Sequence, residues 1–169
     1  MTHLYDELSS ALRLAGQPQA LFNALDRLTA ELVGHKLFTL LAVDGAEVSR
    51  VYSNRPVEYP VSGRKPMGPT QWGDLVLRQQ KPFLGRTRAD IRWAFFDHVL
   101  IESMGLGSVI NVPVVYDGQT LGAVNLLDLE HHYVDEHLSM LLPVAPLLIP
   151  AFLGLARPSS ASPASQQPA

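Results

Sequence analysis

Leu4, Leu8, Ala11 and Leu12 recur three and four residues apart, and so do Leu21, Leu25, Leu28, Leu32 and Val33. Apolar residues at that spacing form a stripe along one face of a helix. Gly16 and Pro18 separate the two runs, and Gly34 follows the second where a helix-ending glycine belongs. The pattern predicts helices over about 3–14 and 18–33. The period then changes. Lys36 to Val43 and Ala46 to Ser53 flank Asp44-Gly45, and Ser108 to Tyr116 and Gln119 to Asp128 flank Asp117-Gly118. Asp-Gly between runs rich in β-formers predicts a hairpin, because a tight turn between twisted strands needs residues with positive φ.

A two-residue turn at Asp117-Gly118 sets Tyr116 opposite Gln119, Ile110 opposite Asn125 and Asn111 opposite Val124. Asn111 and Asn125 are then expected on opposite faces, and the one facing a cavity would orient a polar ligand or satisfy a loop backbone. On the first hairpin, Arg50 and Tyr52 are expected in one row with Thr39 and Leu37, interleaved with Val48. An arginine in that row suits a carboxylate or phosphate held by a planar fork, or it lies at an edge with its stem on the sheet.

Asn54 to Pro69 is rich in proline and glycine without regular periodicity, and reads as a long loop. Tyr59, Ser62, Gly63, Arg64 and Lys65 give it the donors, charge and backbone freedom of a pocket lid. Thr70 is expected to cap a short helix reaching about Gln80, Pro82 to Leu84 to form a short edge strand, and Ala89 to Met104 to form one helix or two. Leu138 to Ala156 carries no charge and is long enough to span a bilayer, but Pro143, Pro146 and Pro150 interrupt it. Burial of one side on the sheet and the other on a second copy of the chain explains the segment, so a homodimer through the terminal helices is expected and a membrane anchor is not. Residues 157–169 are Ser, Pro, Ala and Gln beyond one arginine, the composition of a disordered tail. The organisation expected is an N-terminal helix over 1–17, one domain over 18–156 and that tail.

Charge changes this picture locally. Nine of the thirteen basic residues lie between Arg50 and Arg92, opposed there only by Glu58, Asp74 and Asp90. The overall charge of −3 argues against nucleic acid, whereas one or two arginines suffice for a small anion. Cysteine is absent, which removes disulfides, thiolate metal sites and cysteine nucleophiles, and agrees with a cytoplasmic location. The first ten residues lack the basic-then-apolar layout of a secretory signal. His131, His132 and His137 stand among acidic residues, but without metal-ligand spacing, so no metal or other cofactor is expected. Ser108 and His98 lack the nucleophile-elbow context of a hydrolase, and no catalytic residue is assigned.

The order helix, helix, hairpin, loop, helix, short strand, helix, hairpin, helix resembles the GAF family of sensory domains, relatives of PAS. The motifs that carry the resemblance are Ser108-Val109-Ile110-Asn111-Val112-Pro113-Val114, the Asp117-Gly118 turn, and Leu121-Gly122-Ala123-Val124-Asn125-Leu126. Leu75 to Pro82 and Tyr133 to Leu142 add to it. The resemblance implies an α+β fold, with an antiparallel sheet of five or six strands in the order 2-1-5-4-3 and helices on both faces. It also implies a pocket whose wall includes Trp72, Trp93, Phe95 and Phe96. Trp93 and Phe96 are the favoured pair, because Arg92, Asp97 and His98 flank them. The candidate ligand-binding residues are therefore Arg50, Tyr52, Arg64, Lys65, Trp72, Trp93, Phe96, His98, Asn111 and Asn125. The family's reductases of free methionine sulfoxide and its bilin-attaching members use cysteines this chain lacks, and the Asn-Lys-Phe-Asp-Glu signature of cyclic-nucleotide binders is missing. The expectation is a non-catalytic sensor of an unknown small molecule. The alternatives are a ligand-free interaction module with its pocket filled by Trp and Phe, and an enzyme of another kind.

Overall fold

The computed structural model describes residues 2–156, so the expected tail at 157–169 lies outside the described residues. Helices α1 (Thr2–Leu12) and α2 (Gln19–Leu32) precede the hairpin of β1 (Leu37–Asp44) and β2 (Glu47–Ser53). A two-residue strand β3 (Lys65–Pro66), a π-helical segment (Gly73–Arg78), strand β4 (Phe83–Gly85) and helices α3 (Arg88–Ala94) and α4 (His98–Ser103) follow. The chain closes with β5 (Ser108–Tyr116), β6 (Gln119–Asp128), α5 (Asp135–Leu141), a 3-10 turn (Ala145–Leu148) and α6 (Ile149–Leu155). All pairings are antiparallel, and the sheet order is β3-β2-β1-β6-β5-β4. Set aside β3, which extends the β2 edge, and this is the order expected for five strands.

One face of the sheet carries the terminal helices. Leu21, Phe22, Leu25 and Leu28 of α2 pack with Phe38, Leu40, Val112, Val124 and Leu126 of the sheet and with Leu148 and Phe152 of the final segment. By length and composition alone, Asp135–Leu155 could cross a membrane. Here it breaks at its prolines and presents Leu141, Val144, Ala145, Leu148, Ala151 and Phe152 inward, while Met140, Leu142 and Leu155 remain exposed. The opposite face is covered by the π-helical segment, α3, α4 and the loop after β2. There the core divides into two clusters, one around Leu37, Ile91, Ile101 and Val109, the other around Val48, Val76, Leu77 and Ala123.

Both hairpins depart from simple registers, and each departure re-aims a side chain. The second turn has positive φ at Asp117 and Gly118 and pairs Tyr116 with Gln119 as expected. The register then shifts by one between Val114 and Val115, leaving Leu121 as an extra residue on β6. A bulge turns every residue beyond it to the other face. Asn111 therefore pairs with Asn125 rather than Val124, and the two asparagines share a face instead of opposing one another. In the first hairpin the turn residues are Gly45 and Ala46, with Asp44 opposite Glu47, one residue later than expected. Val51 is bulged, so Arg50 pairs with Leu41 while Tyr52 pairs with Leu40 on the helix-bearing face. Tyr52 thus leaves the row shared by Arg50 and Thr39. It packs against Phe22 and Phe38 and donates to Asp26 Oδ2 at 2.8 Å.

Two measurements check this packing. A Cβ on Gly122 would overlap the Leu41 carbonyl and come within 2.9 Å of the Phe152 ring. Gly122→Ala should lower stability in urea unfolding by about 3 kcal/mol, whereas Gly154→Ala, with open space around it, should not. Tyr133 is fully buried and donates to the Gly34 carbonyl at 2.9 Å. Burial, reinforced by the Asp128 carboxylate, pushes its phenol well above the ordinary 10.0. A raised folded-state value favours the fold below pH 10 and withdraws that contribution as pH rises beyond it. Stability should therefore fall above pH 10, and less steeply in Tyr133→Phe, which at neutral pH costs about 1 kcal/mol for the lost hydrogen bond.

Candidate functional site

A polar row crosses the otherwise apolar face of the sheet, between the two clusters. Asn111 of β5, Asn125 of β6 and Thr39 of β1 stand side by side in register. All three are buried, at 0%, 8% and 3% exposure, so their hydrogen bonds must be made within the protein. The Trp72 indole donates to Asn111 Oδ1 at 2.9 Å, Asn111 Nδ2 donates to Asn125 Oδ1 at 2.6 Å, and Asn125 Nδ2 reaches Thr39 Oγ1 at 3.3 Å. Trp72 precedes the π-helical segment, whose entry is fixed by Thr70 Oγ1 accepting from Gly73 N at 2.9 Å.

Above this floor lies a cavity of about 400 Å³. Thr39, Asn125, Leu41 and Leu127 form its base, Trp72, Gly73 and Leu77 one wall, and Ala94, Phe95 and Ile101 the other. The second wall is held by a capping box at the start of α3. The Thr87 amide donates to Asp90 Oδ2 at 3.0 Å, while the Asp90 amide donates back to Thr87 Oγ1 at 3.4 Å. Burial raises the Asp90 carboxyl, but the Arg86 and Thr87 donors outweigh it and hold it below its usual range.

The mouth carries the charge. Arg50 lies over the Tyr59 ring at 3.7 Å and donates from Nη1 to the Pro60 carbonyl at 2.7 Å. Tyr59 in turn donates to Asp97 Oδ2 at 2.7 Å, which ties the long loop to the junction of α3 and α4. Burial, with Asp97 beside it, pushes the Tyr59 phenol far above its ordinary value, so it stays a neutral donor. Lys65 sits 5.1 Å from the Phe96 ring, across the opening. Among the described residues neither Arg50 nor Lys65 takes part in an ion pair.

Of the residues singled out in the sequence, Arg50, Lys65, Trp72, Phe96 and Asn125 line the cavity, and Asn111 lies beneath it bonded to Trp72 and Asn125. Four others lie elsewhere. Tyr52 is on the far face for the reason given above. Arg64 pairs with Asp44 at 2.8 Å, because the loop turns it outward beside Lys65. Trp93 is half exposed and packs on Phe83, since its position on α3 faces the β4 edge. His98 opens α4 outside the cavity lining, with Nδ1 buried and unpartnered. The sequence reading missed Thr39, Met67 and Asp97 as cavity residues. The Tyr-to-Asp tie spans 38 positions in the chain, and no local pattern announces it. Among the described residues no group of three or more His, Cys, Asp or Glu side chains is arranged to hold a metal ion.

The family model of the GAF domain matches residues 17–150. The GAF domain of a phosphoenolpyruvate-protein phosphotransferase from Coxiella burnetii superposes with a TM-score of 0.73 at 18% identity, covering 90% of this chain and 92% of its own. The nlh2 GAF domain of A. aeolicus, in an inactive state, gives 0.69 at 14% identity, over 92% and 96% of the two chains. The free methionine-R-sulfoxide reductase of Neisseria meningitidis, solved with its substrate, gives 0.66 at 20% identity, over 89% and 86%. None of the curated proteins compared with the chain matches it. With most of its length matched by the family model and its sheet shared with solved members, the chain belongs to the GAF domain family, a family of sensory and regulatory domains.

Proposed function

We propose that the chain is a non-catalytic cytoplasmic sensor that takes a small anionic molecule into this cavity and works as a homodimer through its terminal helices. The observation that carries the reading is an apolar cavity of about 400 Å³ whose mouth holds a guanidinium that, among the described residues, has no carboxylate partner. Such a chamber, mostly apolar with a few placed polar groups, is what a small ligand requires. A planar fork stacked on a ring is pre-organised for a carboxylate or phosphate. The cavity is open rather than packed with Trp and Phe, so it does not favour a purely structural interaction module.

The cavity groups bind better than they react. The Arg50 guanidinium offers donors and no acceptor, Asp97 Oδ2 is engaged by Tyr59, and the Tyr59 phenol is held neutral. Cysteine-based reduction of a sulfoxide, the chemistry of one similar structure's family branch, has no thiol here. The homodimer is supported by Met140, Leu142 and Leu155, exposed on the outside of a segment whose other side is core. Three exposed apolar side chains along that segment gain a second burial when a copy of the chain packs there.

Native mass spectrometry of the full chain with a panel of anionic metabolites should show a dimer and a retained small molecule. Arg50→Gln should weaken that complex at least tenfold, while Arg92→Gln, at an exposed pair with Glu102, should not. Leu142→Glu should shift sedimentation toward monomer. A chain that stays monomeric and takes up no anion would refute the reading.

A further inference from the structure

The row Trp72–Asn111–Asn125–Thr39 has a direction, and the direction is set by chemistry. An indole N–H donates and never accepts, so the atom 2.9 Å from Trp72 Nε1 must be the Asn111 oxygen. The Asn111 amino group is then the end that meets Asn125 at 2.6 Å, which requires the Asn125 oxygen there. Asn125 consequently turns its own amino group toward Thr39 and the cavity. Thr39 Oγ1, accepting from Asn125, keeps a proton with no acceptor among the described residues. One amide hydrogen and one hydroxyl hydrogen therefore remain at the cavity floor, both donors. A rotated amide anywhere in the row would oppose like ends of two groups, so the whole row keeps one polarity.

We propose that the ligand of this cavity is an acid with two unlike polar ends: a charge at the mouth, and at the inner end an acceptor bearing no proton, such as a carbonyl, ether or ring nitrogen, separated by an apolar body. This rests on the reading of the cavity as an anion-sensing site and goes further by naming what the floor selects. The floor donors Thr39 and Asn125 demand an acceptor, because a buried donor left unmatched costs free energy and a second donor placed against it costs more. The mouth, with Arg50 and Lys65, takes the charge. Between them Leu41, Leu127 and Leu77 offer only apolar surface. The span is short. Arg50 is paired with Leu41, two residues along β1 from Thr39 and one strand over, which sets the two anchors roughly 8 Å apart at the backbone.

Three eight-carbon acids separate the terms: 7-oxooctanoate, octanoate and 7-aminooctanoate, titrated calorimetrically against the full chain. The expected order is 7-oxooctanoate about tenfold tighter than octanoate, the yield of one to two hydrogen bonds, with 7-aminooctanoate weaker than either. Thr39→Val, which removes the donor that only the oxo acid can match, should narrow the gap between 7-oxooctanoate and octanoate. Trp72→Phe frees the amides to turn, and should narrow the gap between the oxo and amino acids. The ranking on the unaltered chain decides the matter even where a variant fails to fold. If octanoate and 7-oxooctanoate bind equally, or the amino acid binds best, the donor floor is refuted and the anion site stands. If none of the three binds, the anion site falls as well.

Discussion

The two asparagines held edge to edge across β5 and β6 are the constraint on which this domain turns. Nothing about a sheet interior favours amides, and an unmatched one costs about 1–3 kcal/mol. Here each amide oxygen is matched only because a neighbour turns a donor toward it, the Trp72 indole for Asn111 and the Asn111 amino group for Asn125. Networks of this kind are unforgiving when partly satisfied and specify a single arrangement when complete. The consequence is architectural. The row separates the apolar cluster around Ile91 and Ile101 from that around Val76 and Leu77, and the cavity occupies the gap. It also pins the π-helical segment to the sheet through Trp72, so one wall of the chamber is fixed by the same bonds that form its floor.

The order of elements was readable because its signals are local. Helical stripes, Asp-Gly turns and a proline-rich loop each act within about ten residues, whereas the order of the strands across the sheet came from the family resemblance and holds once β3 is set aside. Strand β3 was not readable, since Lys65 and Pro66 join the sheet only where the loop happens to pass β2. The cavity was less legible, for a reason that can be named. Period-two reasoning carries a face assignment along a strand only until a bulge intervenes, and Leu121 and Val51 each interrupt it. The extra residue Val51 moved Tyr52 off the cavity face, and the extra residue Leu121 brought Asn111 and Asn125 together. The bulge at Val51 has no glycine to announce it, whereas Gly122 stands directly after the one at Leu121. The Tyr59–Asp97 tie depends on tertiary proximity alone.

The terminal helices show the same tension between composition and context. A stretch with no charge over nineteen positions reads as lipid-facing by length, yet its prolines divide the segment into three short pieces packed on the sheet. Pro146 and Pro150 fall at the starts of pieces, where the missing N–H is tolerated. Broken, the segment places Val144, Leu148 and Phe152 into one core.

Strand β6 joins the two halves of the molecule. Successive residues of a strand point to opposite faces, so Ala123, Asn125 and Leu127 serve the cavity while Gly122, Val124 and Leu126 seat the helices. Gly122 lies close to both the β1 backbone and Phe152, with no room to absorb movement there. Asn125 stands three residues away on the other face. A molecule that pulls on the floor and a helix packed at Gly122 therefore act on one short length of chain, just past the bulge at Leu121. A ligand shifts an equilibrium only as far as it distinguishes two states, and in this fold β6, like β1 with Thr39 on one face and Leu40 on the other, presents residues to the cavity and to the helices at once.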